Sequence, residues 1–167
     1  MDFRIRKKSN SDVMTPKELA ERLVKHFNPS GKILEPCKGE NGFLNVLPED
    51  TLWCEIKEGK DFFDFSEHVD WIFTNPPWDK VTKFLEHSLE IADNICFIIV
   101  LQQLWTKKRL RLIRENNFGI KEICYFKEPE NFPHLGIQIG MVYIQRDYKE
   151  NIKLVNLDEI KGNGNRI

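Results

Sequence analysis

Seven consecutive apolar residues, Ile95 to Leu101, constrain the fold of this chain more than any other stretch. The run is strand-sized, well short of the roughly 20 residues of a membrane span. A strand that is apolar at every position must be covered on both faces, as in the centre of a parallel sheet flanked by helices. The neighbouring segments alternate as such a sheet requires. Thr15-Pro16-Lys17-Glu18 reads as an N-cap, a first-turn proline and a capping-box glutamate, and Leu19, Leu23 and Phe27 then line one helix face. Asn28-Pro29-Ser30-Gly31 ends that helix. Ile33-Leu34, Leu52 to Ile56 and Trp71 to Thr74 read as strands. Val81, Phe84, Leu85, Ser88, Leu89 and Ala92 follow helical spacing, and a basic helix is expected from Thr106 to Asn116. Glu122 to Phe126 and Ile137 to Gln145 are expected to form a terminal strand pair.

A length of 167 residues suits one core. The expected organisation is a basic arm over residues 1–12, one folded domain over 13–157 and a flexible tail over 158–167. The basic N-terminus lacks the apolar core of a signal peptide, so a cytoplasmic protein without membrane contact is expected. Cys37, Cys54, Cys96 and Cys124 are far apart and form no Cys-x-x-Cys, which predicts neither a disulfide framework nor a metal site. His26, His68, His87 and His134 show no pairing. The formal net charge of -1 does not mark a strong nucleic-acid binder. The charge is nevertheless clustered: Arg4, Arg6, Lys7 and Lys8 form one basic group, and Lys107, Lys108, Arg109, Arg111 and Arg114 another.

The most chemically specific segment is Asn75-Pro76-Pro77-Trp78, directly after a strand. Open α/β sheets place ligands at such carboxyl ends. Two prolines remove two N–H donors, so nearby carbonyls are left to outside donors. The Asn75 amide oxygen and the Pro76 carbonyl are two acceptors, and Trp78 offers a flat ring. This set suits a planar group bearing an amino nitrogen. The plain alternative is a proline-rich turn stapled by a core tryptophan. Upstream, Glu35-Pro36-Cys37-Lys38-Gly39-Glu40-Asn41-Gly42-Phe43 follows a strand, where glycine lets a ligand approach the backbone. Glu55, at the end of the next expected strand, suits ribose hydroxyls. These parts describe a nucleoside cofactor without naming it.

Taken in order, the motifs resemble those of amino-group methyltransferases, chiefly the adenine-N6 DNA methyltransferases. Asn75-Pro76-Pro77-Trp78 is similar to their (Asp/Asn/Ser)-Pro-Pro-aromatic signature, and residues 35–43 to their first cofactor motif. Asn41 replaces that motif's second glycine, a place where left-handed backbone is tolerated best by Asn after Gly. The resemblance implies a Rossmann-like class I methyltransferase fold, α/β, with a mostly parallel seven-stranded sheet, an antiparallel terminal strand and helices on both faces. It implies S-adenosyl-L-methionine as cofactor, held by Thr15, Pro16, Glu35, Pro36, Cys37, Gly39, Asn41, Glu55, Ile56, Asp61 and Phe62. Asn75, Pro76, Pro77 and Trp78 would form the catalytic turn, with no metal. Cys37 sits in the cofactor loop and is expected to line it rather than attack substrate.

Nucleic acid is the implied partner, DNA ahead of RNA. Lys107, Lys108 and Arg109 are candidate phosphate contacts or a solvated helix face, and Phe132 is a candidate base contact or a loop anchor. The motif order resembles the gamma class, whose members usually carry a separate recognition domain. Only about 20 residues follow the last expected strand, so specificity is expected to be low, to come from a specificity subunit or homodimer, or to rest on a shaped RNA. The alternatives are a ribosomal-RNA adenine or guanine amino methyltransferase, a protein glutamine methyltransferase, and a non-catalytic subunit of the same fold.

Overall fold

The computed structural model describes residues 13–132 and 136–160. The N-terminal basic cluster, His134 and residues 161–167 of the expected tail lie outside them. A seven-stranded sheet has the order β2-β1-β3-β4-β6-β5-β7, with helices on both faces. Its strands are β1 (Ile33–Glu35), β2 (Leu52–Trp53), β3 (Val69–Thr74), β4 (Ala92–Val100), β5 (Phe118–Tyr125), β6 (Ile139–Arg146) and β7 (Lys153–Asn156). The helices are α1 (Lys17–Phe27), α2 (Val81–Ile91) and α3 (Lys107–Glu115). Strands β1 to β4 are mutually parallel, so their carboxyl ends share one edge. Strand β4 runs through the middle and is buried from Ile95 to Val100, as its unbroken apolar run requires.

The antiparallel member is β6, paired with β4 on one side and β5 on the other. The pair expected at the end of the chain is therefore interior to the sheet. The seventh strand, β7, has a short and partly exposed sequence without a strong strand pattern, and it lies parallel to β5 at the edge. No helix among the described residues is long and apolar enough to cross a membrane.

Three local expectations need correction. The second strand stops at Trp53, and Glu55 instead caps a short 3₁₀ turn, Ile56–Glu58, accepting from the Lys57 N–H at 3.1 Å. Helix α1 has Pro16, not Thr15, at its N-cap and no side-chain cap; the Thr15 hydroxyl accepts from the Asn75 amide at 3.3 Å. His26, His68 and His87 do find partners. His26 on α1 pairs with Glu122 of β5, and His87 Nε2 lies 2.8 Å from the Phe65 carbonyl oxygen. Cys124 joins His26 and Glu122 within 4.8 Å, a juxtaposition that spacing along the chain cannot reveal.

The turn from β3 into α2 is anchored from below. Trp78 is 3% exposed, its indole N–H donates to the Ile98 carbonyl at 3.2 Å, and its ring meets Phe132 edge-on at 6.0 Å. In this arrangement Trp78 is a core side chain, the plain reading of its motif. Trp78→Ala should therefore lower the unfolding free energy by about 3–5 kcal/mol, the usual loss for a large buried aromatic. Urea unfolding measures it, and a loss below about 1 kcal/mol would place the indole outside the core.

Candidate active site

Strand ends bring the motif residues together. Glu35 ends β1 and Thr74 ends β3, and the two strands are adjacent and parallel. The Thr74 hydroxyl donates to Glu35 Oε1, which also accepts from the Cys37 N–H at 3.1 Å. The carboxyl is 1% exposed. Burial raises its pKa from 4.5 to about 8, against the lowering effect of those two donors. Next to it, the Cys37 thiol lies 3.1 Å from Thr74 Oγ1 and donates to the Asn75 carbonyl at 3.3 Å. Burial, and then the Glu35 charge, push that thiol well up. An un-ionised cysteine with two polar neighbours is a poor nucleophile and a good loop anchor.

The loop after β1 then turns twice through left-handed backbone, at Gly39 (φ 50°) and Asn41 (φ 65°). Asn41 thus does locally what the replaced glycine would do. Its side-chain oxygen accepts from Lys38 Nζ at 3.2 Å. Gly42 serves close approach instead: a Cβ there would meet the Thr15 carbonyl oxygen at 2.7 Å. The loop is tied to Glu55, whose second oxygen accepts from the Gly39 N–H at 3.0 Å. Both Glu55 oxygens are thereby oriented by backbone donors, and each retains a lone pair for a further donor.

These loops surround a cavity of about 510 Å³, lined by Pro36, Cys37, Gly39, Glu55, Ile56, Asp61, Phe62, Asn75 and Pro77 among others. That volume lies in the roughly 300–1,000 Å³ range of small-molecule sites. A smaller recess of about 30 Å³ beside it is walled by Thr15, Glu35, Cys37 and Asn75. Pro16, Asn41, Pro76 and Trp78 line neither space. Lining residues not anticipated from sequence are Val13, Met14, Lys57, Glu58, Phe63, Lys80 and Phe84. Phe62, Phe63 and Phe84 form an aromatic cluster, with Phe63 41% and Ile56 64% exposed. The Phe-Phe pair after Asp61 was the available signal for Phe63. Val13 and Met14 carried no sequence signal.

The catalytic-turn candidates divide by hydrogen bonding. Asn75 Nδ2 donates to the Val13 carbonyl at 3.0 Å. A carbonyl only accepts, so this contact sets the amide's orientation and leaves Oδ1 as a free acceptor. The Asn75, Pro77 and Trp78 carbonyls accept from Cys37 Sγ, the Lys80 N–H and Gln103 Nε2. Among the described residues, the Pro76 carbonyl accepts nothing. Asn75 Oδ1 therefore remains a free acceptor at the cavity, while Pro76, on the same turn, is buried and lines neither space.

The outlying candidates are placed differently. Phe132 is 2% exposed and packs on Trp78, so it is an anchor in this arrangement. Arg109 is half-buried, with its guanidinium bonded to Thr82 Oγ1 and the Gln103 carbonyl. Lys108 pairs with Glu86 at 3.0 Å, and Lys107 is exposed.

No protein-family model and no curated protein sequence matches the chain. Solved structures do resemble it. One, described as a class I S-adenosylmethionine-dependent methyltransferase from Listeria monocytogenes, has a TM-score of 0.64 at 16% identity, over 93% of this chain and 68% of that one. A type I restriction-modification methyltransferase subunit from Streptococcus thermophilus has 0.66 at 9% identity, over 92% of this chain and 49% of that one. A structure described as an RNA methyltransferase, from Pyrococcus horikoshii, has 0.57 at 15% identity, over 78% and 82%. The chain thus spans about half the length of the restriction-modification subunit. The likeness establishes the Rossmann-like fold of class I methyltransferases.

The buried carboxyl gives the site a pH signature. Glu35 has a folded-state pKa of about 8 against 4.5 when unperturbed. A raised folded value means its stabilising contribution is complete below 4.5 and is lost as pH rises through about 8. Urea midpoints of the wild type should fall across that window relative to those of Glu35→Gln. Equal pH slopes in the two proteins would show that Glu35 titrates normally.

Proposed function

We propose that the chain is an S-adenosylmethionine-dependent methyltransferase acting on an exocyclic amino group, with adenine N6 in DNA as the target. The observation that carries this reading is the free acceptor Asn75 Oδ1 at a cavity walled by the cofactor-type loop, with the unengaged Pro76 carbonyl on the same turn. The cavity's chemistry fits the cofactor. Glu55 presents an oriented carboxylate suited to ribose hydroxyls, and Ile56 with Phe62 and Phe63 supplies apolar surface for a purine ring. Glu35 and Asn75 lie in the recess nearest the catalytic turn. When bound, S-adenosylmethionine supplies a methyl group on a positively charged sulfur.

The residues of this chain address the other reactant. An exocyclic amino nitrogen is a weak nucleophile because its lone pair is delocalised into the ring. Asn75 Oδ1 and the Pro76 carbonyl can accept its two N–H bonds, drawing them out of the ring plane and localising the lone pair. Both acceptors are preorganised, the amide by Val13 and the carbonyl by its proline ring, so little reorganisation accompanies the reaction. In-line attack then needs mainly positioning. No strong base is required, since the methylated nitrogen is cationic and releases a proton to water. A paired base is out of reach, so the target is flipped or single-stranded.

Two further points bear on the substrate. The type I restriction-modification neighbour supports DNA as substrate and a separate subunit as the source of specificity. The RNA methyltransferase neighbour, matched over 82% of its own length, supports RNA as the second reading. Tritiated methyl transfer to DNA, RNA and protein in parallel, with the modified nucleoside identified, separates these substrates.

Two variants test the site. Glu55→Ala should weaken S-adenosylmethionine binding by roughly 1.5–3 kcal/mol, the worth of hydrogen bonds to a charged group. Unchanged calorimetric affinity in a folded variant would remove Glu55 from the site. Asn75→Ala should slow methyl transfer on the order of 100-fold or more while cofactor affinity holds, because the lost interaction strengthens as the nitrogen becomes positive. Asn75→Asp keeps an acceptor and should retain partial activity. Wild-type rates in both variants would overturn the amino-methyltransferase reading.

A further inference from the structure

The two aromatic residues expected to meet substrate, Trp78 and Phe132, are both buried. One aromatic on the same sheet edge is not. Trp105 is 50% exposed, and among the described residues its ring stacks on nothing and its indole N–H has no acceptor. It follows β4, whose carboxyl end lies beside that of β3 through the parallel pairing of Thr74 with Phe97. Asn75 and Trp105 therefore leave the sheet on the same side.

The backbone around Trp105 is held firmly. Leu104, immediately before it, is 2% exposed and closes a 3₁₀ turn onto the Leu101 carbonyl at 3.1 Å. Thr106, immediately after it, caps α3 by accepting from the Arg109 N–H at 3.3 Å. Gln103 reaches across to the Trp78 carbonyl at 2.9 Å, which couples this loop to the catalytic turn. An exposed ring on a fixed backbone loses little freedom when a flat partner stacks on it. Next to it, α3 carries five cations, at 107, 108, 109, 111 and 114, against the single acid Glu115. Lys108, paired with Glu86, keeps 59% of its side chain exposed, and Arg111, 3.9 Å from Glu115, keeps 61%. An exposed aromatic beside a row of cations is complementary to a polyanion with accessible flat faces, the description of an unpaired nucleic-acid strand.

We propose that Trp105 is a stacking platform for an unpaired base next to the target nucleotide, with the exposed cations of α3 tracking the adjoining phosphates. The proposal rests on the nucleic-acid reading above and adds to it the residue that holds the strand. It assigns to Trp105 the stacking role that buried Trp78 does not fill.

Intrinsic fluorescence tests it, because the four tryptophans differ in environment. Trp78 is buried, Trp71 is stacked on Tyr143 at 5.1 Å, and Trp53 is covered by Lys60 at 3.5 Å. Titration of the full chain with oligothymidylate and, separately, oligouridylate should quench emission, and neither probe offers an amino group to the catalytic turn. Trp105→Phe should remove most of the quenching while retaining binding by anisotropy. Trp105→Ala should weaken binding about 5- to 100-fold. Calorimetric affinity for S-adenosylmethionine should stay at the wild-type value in both variants. If the wild type binds strands but Trp105→Ala binds them equally well with undiminished quenching, the platform is wrong and the nucleic-acid reading survives. If the wild type binds S-adenosylmethionine and no strand of either kind, both fall together.

Discussion

A buried carboxyl at the junction of two strands organises the rest of this molecule. Glu35 is the last residue of β1 and Thr74 the last of β3, and the hydroxyl of one donates to the carboxyl of the other. Burying an ionised carboxylate without a counter-charge is strongly unfavourable, so the group takes the neutral form and keeps its hydrogen bonds. The link joins the ends of a three-residue strand and a six-residue strand. From that point the chain diverges twice. Residues 36–40 supply one part of the cavity lining, and Asn75 with Pro77 supplies another.

What makes the second wall chemically useful is the way its polar groups are consumed. Prolines at 76 and 77 contribute no N–H. Three of the four carbonyls of the turn accept hydrogen bonds from Cys37, Lys80 and Gln103. The amide nitrogen of Asn75 is taken by Val13 and Thr15. The surplus on this turn is acceptor only, with Asn75 at the cavity. An incoming amino group offers those donors in the same plane as its own ring. This is a physical reason for an amino target that does not depend on any likeness to other proteins.

The charge of the chain acts locally rather than in sum. A net charge of -1 would exert little long-range attraction on a polyanion. Within α3, however, part of the positive charge serves structure: Arg109 bonds back to the preceding loop and Lys108 pairs with α2. Lys107, Arg111 and Arg114 stay exposed on the same helix, which begins two residues after Trp105. Contact with phosphates at that short range is screened less by distance than a global field would be.

Much of the architecture was legible along the chain, because periodicity and turn chemistry are local properties. The apolar run of β4 required a sheet covered on both faces. The glycine and asparagine of residues 39–41 required left-handed backbone, which φ values of 50° and 65° provide. Asn-Pro-Pro-Trp at a strand end marked where chemistry was to be sought. Other features depended on residues far apart in sequence. Thr15 looked like a helix cap, whereas its hydroxyl accepts from Asn75, 60 positions away. Trp78 and Phe132 could each have met substrate or anchored the core until packing buried both, Trp78 on Ile98 of β4 and Phe132 on Trp78. Val13 and Met14 became cavity wall only because the N-terminal segment crosses the loops. Secondary structure and motif identity follow from neighbours a few residues apart, so the sequence by itself determined them. Which acceptors stay free, which aromatics stay exposed and which cations stay unpaired follow from competition among distant groups for the same partners, and only the tertiary structure decides that competition.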